Sequence, residues 1–294
     1  MLLQFIVDVL SLGSLYALFA LGLVLVYGIL KLVNFAYGEL VLVFGYSMFL
    51  LNASPFPWFF MALVAILMSI FFSIATDYIA FRPVREKSVT AVLITSFAFA
   101  TLLQNAALLL ISARPKNVPM PSFFSDSVQF LTVITPVRNL ISIAVTFICL
   151  IIFYQFMKRT HIGLAMRAAA TNFNMARMLG IPANLVITTA FAISGLLAGI
   201  GGTLWMSKLG MVFPGIGLEP LLIAFIATVI GGMRSVQGAV LGGFILAFVD
   251  MSFNYLLPQD ILKFRDAFTF TFVILILLIR PEGLIKGPAT GIRT

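Results

Sequence analysis

Residues 4–30 read Gln4-Phe-Ile-Val-Asp-Val-Leu-Ser-Leu-Gly-Ser-Leu-Tyr-Ala-Leu-Phe-Ala-Leu-Gly-Leu-Val-Leu-Val-Tyr-Gly-Ile-Leu30, and no basic residue precedes Lys31. About 20 apolar residues wound as an α-helix cover the hydrocarbon thickness of a bilayer, and this run is longer. Backbone in lipid must bond to itself, which leaves only helices and closed barrels. An unbroken apolar run lacks the in–out alternation of a barrel strand, so the segment is a helix. Its length and the missing basic leader also separate it from a cleavable signal; it is expected to stay as the first span.

The same character extends along all 294 residues, of which 62% are hydrophobic and 10% charged. That balance excludes an ordinary water-soluble domain. Spans are predicted near residues 4–30, 38–52, 57–80, 89–112, 138–157, 186–206, 219–232, 236–256 and 266–280. The expected fold class is therefore all-α and integral, a polytopic bundle of about 8–9 transmembrane segments forming one domain over 1–294. The net charge of +8 is spread over short connections rather than gathered into a patch, which argues for a topology signal and against nucleic acid as a partner. With the N-terminus outside, Arg114, Lys116, Arg138, Lys208, Lys263 and Arg265 fall outside and the other twelve of the 18 basic residues inside. The positive-inside rule then places the C-terminus in the cytoplasm. The lone Cys149 can form no intramolecular disulfide, and the lone His161, beside Lys158 and Arg159, reads as an interfacial residue.

Residues 38–52 and 219–232 are too short for a full crossing. Each follows broken, Gly-containing sequence, Tyr27-Gly28 through Gly38 and Pro214-Gly-Ile-Gly217, and each carries a carboxylate in its first turn, Glu39 or Glu219. Short, interrupted segments at corresponding places in two halves point to a solute site near the bilayer midplane. Asn34, Tyr37, Gly38, Glu39, Glu219 and Thr228 are accordingly the candidate translocation path. Capping at a wet interface explains Glu39 equally well. The order span, short segment, span, span describes 4–112 and again 186–280, with 138–157 as the odd helix between, as in an inverted repeat.

One segment departs from membrane character, Gly163-Leu-Ala-Met-Arg-Ala-Ala-Ala-Thr-Asn-Phe-Asn-Met-Ala-Arg-Met-Leu-Gly180-Ile181. Taken as a single helix, it places Leu164, Ala168, Thr171, Met175 and Met178 within an arc of about 80°, Met166 and Phe173 nearly opposite, and Arg167, Asn174 and Arg177 on one flank. Two apolar edges and a basic flank suit a helix held by its own domain on one side and a partner on the other. An amphipathic helix lying on anionic lipid has the same pattern. Gly231, Gly232, Gly238 and Gly242 surround Met233-Arg-Ser235 and predict a tight turn with close helix approach. Among the other intramembrane polar residues, Gln104, Asn105, Ser194, Asp250 and Asn254 read as helix–helix hydrogen-bonding groups, and Asp77 and Asp250 as the costliest to bury. No Gly-x-x-x-x-Gly-Lys-Ser/Thr loop and no catalytic or metal constellation occurs, so no enzyme chemistry is expected of the chain and any ATP energy must come from elsewhere.

Gly13-Ser-Leu-Tyr-Ala-Leu, Asn34-Phe-Ala-Tyr-Gly-Glu39, Phe81-Arg-Pro-Val-Arg85, Gly163-Leu-Ala-Met-Arg167 through Gly180, Gly231-Gly-Met-Arg-Ser through Gly243 and Arg280-Pro-Glu-Gly283-Leu cover most of the chain in order. Together they resemble the membrane permease subunit of high-affinity branched-chain amino acid ABC importers, a family that includes urea importers. The resemblance implies a multi-pass protein of the prokaryotic cytoplasmic membrane with a second permease subunit, two cytoplasmic ATPases and an extracytoplasmic substrate-binding protein. It implies that the chain binds no cofactor and that ATP–Mg is used by the partner ATPase. It also makes residues 158–185 a cytoplasmic coupling-helix loop, with Gly163, Arg167, Ala168, Ala176, Arg177 and Gly180 as ATPase-coupling positions. The family usually has His where this chain has Tyr37, so no role of that His is carried over. A urea or amide importer permease, an ion-coupled secondary transporter using Glu39, Asp77 or Asp250, and a passive channel are the alternatives.

Overall fold

The computed structural model describes residues 2–85, 87–130, 133–280 and 283–285. The membrane helices are α1 (Leu2–Leu30), α2 (Glu39–Leu51), α3 (Trp58–Thr76), α4 (Val89–Leu110), α5 (Val137–Arg159), α8 (Ala183–Leu209), α9 (Leu218–Gly231), α10 (Val236–Leu256) and α11 (Arg265–Ile279). Two short helices, α6 (His161–Thr171) and α7 (Phe173–Met178), lie between α5 and α8. Among the described residues, six helices are long and apolar enough to cross a membrane, while Phe35–Leu51 and Leu218–Gly231 are shorter. This is the predicted polytopic bundle, and the two short segments fall where the sequence placed them. A third helix is short as well: α11 has 15 residues where a full span was expected.

Burial sorts the bundle. In α1, 89% of the apolar window is enclosed by other helices, against 17% for α5, so α1 is the central post and α5 a peripheral one. The packing repeats itself. α1 lies on α10 and α9 as α8 lies on α3 and α2, and α9–α10 matches α2–α3. One constant displacement in sequence carries Lys31 to Gly210 and Gly38 to Gly217. Lys31 and Gly210 are each the left-handed residue that ends a helix, with φ of 57° and 71°. The odd helix α5 between the copies reverses the second, so the repeat is inverted.

Buried polar groups tie the copies together, as expected where lipid offers no hydrogen bonds. Thr188 donates to Asp77 at 2.7 Å between α8 and α3, and Tyr16 donates to Asp250 at 3.0 Å between α1 and α10. The Ser194 hydroxyl donates to the Gly22 carbonyl at 2.8 Å. The end of α3 widens into a π-helical turn over Asp77–Phe81 before Arg82-Pro83. The connection 113–137 is more than a plain loop: Lys116–Asn117 pairs with Met211–Val212, and Ser127–Phe130 pairs with Val133–Pro136.

Candidate functional site

The chain enters α2 through a 3-10 turn, Phe35–Tyr37, capped by Asn34, whose side-chain oxygen accepts from the Ala36 amide at 3.0 Å. Gly38 is the N-cap of α2 and Gly217 the N-cap of α9. The two glycines meet backbone to backbone: a Cβ on Gly217 would stand 2.8 Å from the Gly38 carbonyl carbon, and one on Gly38 would strike the Gly217 carbonyl oxygen. α2 runs from this crossing towards the end of the molecule that carries Lys116, and α9 runs towards the end that carries Arg234. Each of these 13- and 14-residue helices rises about 20 Å, so the crossing lies inside the bundle, as expected for two half-spanning helices.

Both helices point positive N-terminal dipole ends at the crossing. Glu39, 2% exposed, has its carboxyl carbon beside Gly217, at 2.9 Å from the Cβ position there. One carboxylate oxygen accepts from Gln104 Nε2 of α4 at 2.6 Å, and the other has no partner among the described residues. The carboxylate thus serves its own helix start and that of α9. Tyr37, fully buried, packs on Gly22 of α1, and its hydroxyl has no hydrogen-bond partner among the described residues. Asn34, Tyr37, Gly38 and Glu39 thus lie together at the start of α2.

Glu219 is not enclosed with them. It is exposed, on a cavity of about 330 Å³ whose lining includes Leu218, Leu222, Ile223, Ile226, Leu246 and Phe270 beside Tyr16, Asp250, Arg265 and Asp266. Arg265 closes an ion pair on Asp250 at 3.0 Å and another on Asp266 at 3.1 Å. Thr228 corrects the expected path: it is fully buried, donates to Ala224 of its own helix at 2.6 Å, and faces α1 rather than this cavity. Its hydroxyl is spent on backbone.

The segment read as one helix from Gly163 to Gly180 is two. Asn172 sits between α6 and α7 with extended backbone, φ −151° and ψ 103°, and its side chain accepts from the Met175 amide. Asn competes with helical backbone bonding and favours caps, which breaks the continuous helical phase assumed from sequence. The start is also earlier, at His161, capped by Thr160, whose hydroxyl accepts from the Gly163 amide at 3.0 Å. Gly163, Met166, Ala169 and Ala176 are buried against the bundle, Ala168 is half-buried, and Arg177 is exposed. Gly163 allows α6 to close on the end of α5, where a Cβ would stand 2.6 Å from the Met157 carbonyl oxygen. Arg167 folds back to donate to that same carbonyl. Beyond α7, Gly180 adopts a left-handed φ of +82°, and Met178 and Leu179 before it are each 82% exposed.

Glycines line the α9–α10 turn. Gly238 and Gly242 lie on Gly231 and Ala227, and Gly232 ends α9 at φ +108°. Gly283 seats on Gly232, with the Leu284 amide donating to Ile230 at 2.9 Å. Pro281 and Glu282 of the motif there, like Lys286 and Arg293 of the charge count, lie outside the described residues. At this end Lys31 donates to the Gly28 carbonyl at 2.5 Å and to Ala170 at 3.2 Å. Burial, and after it the nearby Arg234 guanidinium, push the Lys31 ammonium below the usual lysine pKa.

Reading residues singly missed Gln104 as the partner of Glu39, Gly217 as the partner of Gly38, and the Met178-Leu179 tip. The repeat displacement is the signal that would have paired the two glycines.

Comparison with known proteins gives one answer. The family model described as branched-chain amino acid transport system / permease component matches residues 5–279. The high-affinity branched-chain amino acid transport system permease protein BraD of Pseudomonas aeruginosa is 32% identical, over 97% of this chain and 96% of that protein. The corresponding protein LivH of Escherichia coli K12 is 33% identical, over 95% and 93%. In fold, the chain is similar to a chain of PsaBC from Streptococcus pneumoniae, solved in complex with Fab, at TM-score 0.51 and 14% identity, covering 95% of this chain and 93% of that one.

Proposed function

Because the chain belongs to the permease components of branched-chain amino acid transport systems, we propose that it carries branched-chain amino acids inward as one membrane chain of an ABC importer. A second permease chain completes the path, two ATPases hydrolyse ATP–Mg on the cytoplasmic side, and an extracytoplasmic binding protein delivers solute. The chain itself binds no cofactor. The α6–α7 end faces the cytoplasm in this reading, which the distribution of basic residues supports.

The observation that carries the coupling role is the Met178-Leu179 tip, 82% exposed at both residues on a projection outside the spans. Two large apolar side chains held out in water suit a partner's groove. Gly163 and Ala176 seat the projection on the bundle, Arg177 and Gly180 flank the tip, and Ala168 lies along the mount. Arg167, turned back to α5, braces the mount rather than reaching out. The energy of ATP hydrolysis enters here and moves the short helices against each other at Gly38 and Gly217, giving alternating access.

Glu219 supports the placement of the solute path. An exposed carboxylate at the start of a half-spanning helix is costly against lipid and belongs on water or a partner chain. Aliphatic walls beside Glu219, Asp266 and Arg265 suit a zwitterion with a branched hydrocarbon side chain.

The test is Met178→Asp with Leu179→Asp. The pair is expected to leave membrane insertion intact while abolishing co-purification of the ATPase and ATP-driven leucine uptake. Uptake at the wild-type rate would overturn the coupling role.

A further inference from the structure

One face of α8 is bonded step by step to α3 and the turn that follows it, and the steps connect the α6–α7 projection with the start of α2. α8 begins at Ala183, soon after the Leu179 tip, with Pro182 as its N-cap. Its second residue, Asn184, accepts from the Arg85 guanidinium through its side-chain oxygen. One turn on, Thr188 donates to Asp77 at 2.7 Å. A turn beyond that, the Phe191 carbonyl accepts from Ser73 at 2.6 Å, and the Phe191 and Phe81 ring centroids lie 5.0 Å apart. At Gly195 the helices touch: a Cβ there would stand 2.6 Å from the Ser73 Cβ and 2.8 Å from the Ser69 carbonyl oxygen. Ser69 in turn donates to the Leu40 carbonyl at 3.0 Å, in the first turn of α2. Residues 184, 188, 191 and 195 recur at helical spacing and so form one stripe. Ser69, Ser73 and Asp77 are all buried.

We propose that this α3–α8 seam conveys the movement of the α6–α7 projection to the Gly38–Gly217 crossing, with Thr188, Ser73 and Ser69 as positioning residues. The role rests on the projection being the ATPase dock. Coupling between distant sites travels through packed side chains and hydrogen bonds, and a close-packed interior passes a displacement on because it compresses little. The other attachments of the projection suit this less. α5 is the least enclosed of the six long helices. α1 is held through an exposed lysine, Lys31, on the Ala170 carbonyl at 3.2 Å, where water competes. α8 continues the projection directly, and 61% of its apolar window is enclosed. Ser69 grips α2 at the residue after Glu39, so a shift of α8 along α3 reaches the crossing through Leu40. From another side, α8 holds Gly22 of α1 through Ser194, and Tyr37 packs on that glycine.

The complete importer in proteoliposomes tests this, with ATP hydrolysis, leucine uptake and melting temperature measured together. Thr188→Val and Ser69→Ala are expected to keep ATPase co-purification and to hydrolyse ATP within roughly twofold of wild type, while the leucine moved per ATP falls about fivefold. Thr188→Ser, which retains the hydroxyl, should restore most of that ratio. Thr146→Val is the control. Its hydroxyl meets the Ser14 carbonyl at 3.2 Å between α5 and α1, equally buried but off the seam. Its loss should leave the ratio unchanged whatever it does to melting. Ser69→Ala removes one oxygen and keeps the packing, so it reads the ratio even if Thr188→Val, which takes the Thr188 donor from Asp77, does not assemble. A wild-type ratio in Ser69→Ala, or a ratio lowered as far by Thr146→Val, overturns the seam's role. Uptake indifferent to Met178→Asp with Leu179→Asp overturns the dock and the seam together. With that pair inactive, a wild-type ratio in the seam variants overturns the seam alone.

Discussion

Gly38 and Gly217, the N-caps of the two half-spanning helices, touch backbone to backbone, so close that neither has room for a methyl group. Two helices of opposite direction thus begin at one point inside the bundle, and whatever moves one start displaces the other.

Gly217→Ala is expected to cost about 1–3 kcal/mol, the usual penalty for forcing an extra methyl into a packed interior. Gly38→Ala should cost at least as much, because its Cβ would strike backbone oxygen. Thermal denaturation in detergent measures both. Gly215→Ala, where only Phe213 side-chain atoms come near, at 3.8 Å and beyond, is the control and should be neutral within about 0.5 kcal/mol.

Gln104→Leu removes the donor to the buried Glu39 carboxylate. A buried acceptor left without its partner costs about 1–3 kcal/mol, more if charged. Glu39→Gln keeps a side-chain oxygen for Gln104 but removes the charge facing the two helix starts, worth up to about 2 kcal/mol in a partly buried geometry. If Gln104→Leu proves neutral in the same thermal assay, the link between α2 and α4 is not structural.

Glu219→Gln is expected to leave folding within about 0.5 kcal/mol of wild type, since the side chain is exposed, and to lower the uptake rate of the complete importer. Unchanged uptake would remove Glu219 from the path.

Arg265→Leu strands Asp250, whose other polar contact is Tyr16. Removing one partner of a buried pair costs about 3–5 kcal/mol, and partial exposure of Arg265 sets the expectation at or below the low end. Tyr16→Phe should cost less, and a double-mutant cycle should show coupling because both groups act on one carboxylate.

Much of the architecture was legible because lipid imposes a simple rule, long apolar runs as helices. Residues 38–52 and 219–232 were recognised as half-spans by length and by the broken sequence before them. The break at Asn172 was not, since helical phase cannot tell a mid-helix Asn from a cap. Thr228 looked like a path residue because a hydroxyl in an apolar helix has two uses, and here it bonds its own backbone. Gln104 and Glu39 are separated by an intervening helix, and only packing reveals that they meet. The shortness of α11 was legible in the predicted range 266–280, which Arg280-Pro-Glu closes, but no Gly-containing break before it marked it as a half-span.

Solute uptake into proteoliposomes tests the central claim most directly, with the chain reconstituted alone and then with its second permease, ATPases and binding protein. Leucine accumulation is predicted only with the complete set and ATP, and to be lost on introducing Met178→Asp with Leu179→Asp. Leucine uptake by the chain alone, driven by an ion gradient and indifferent to ATP, would contradict the account.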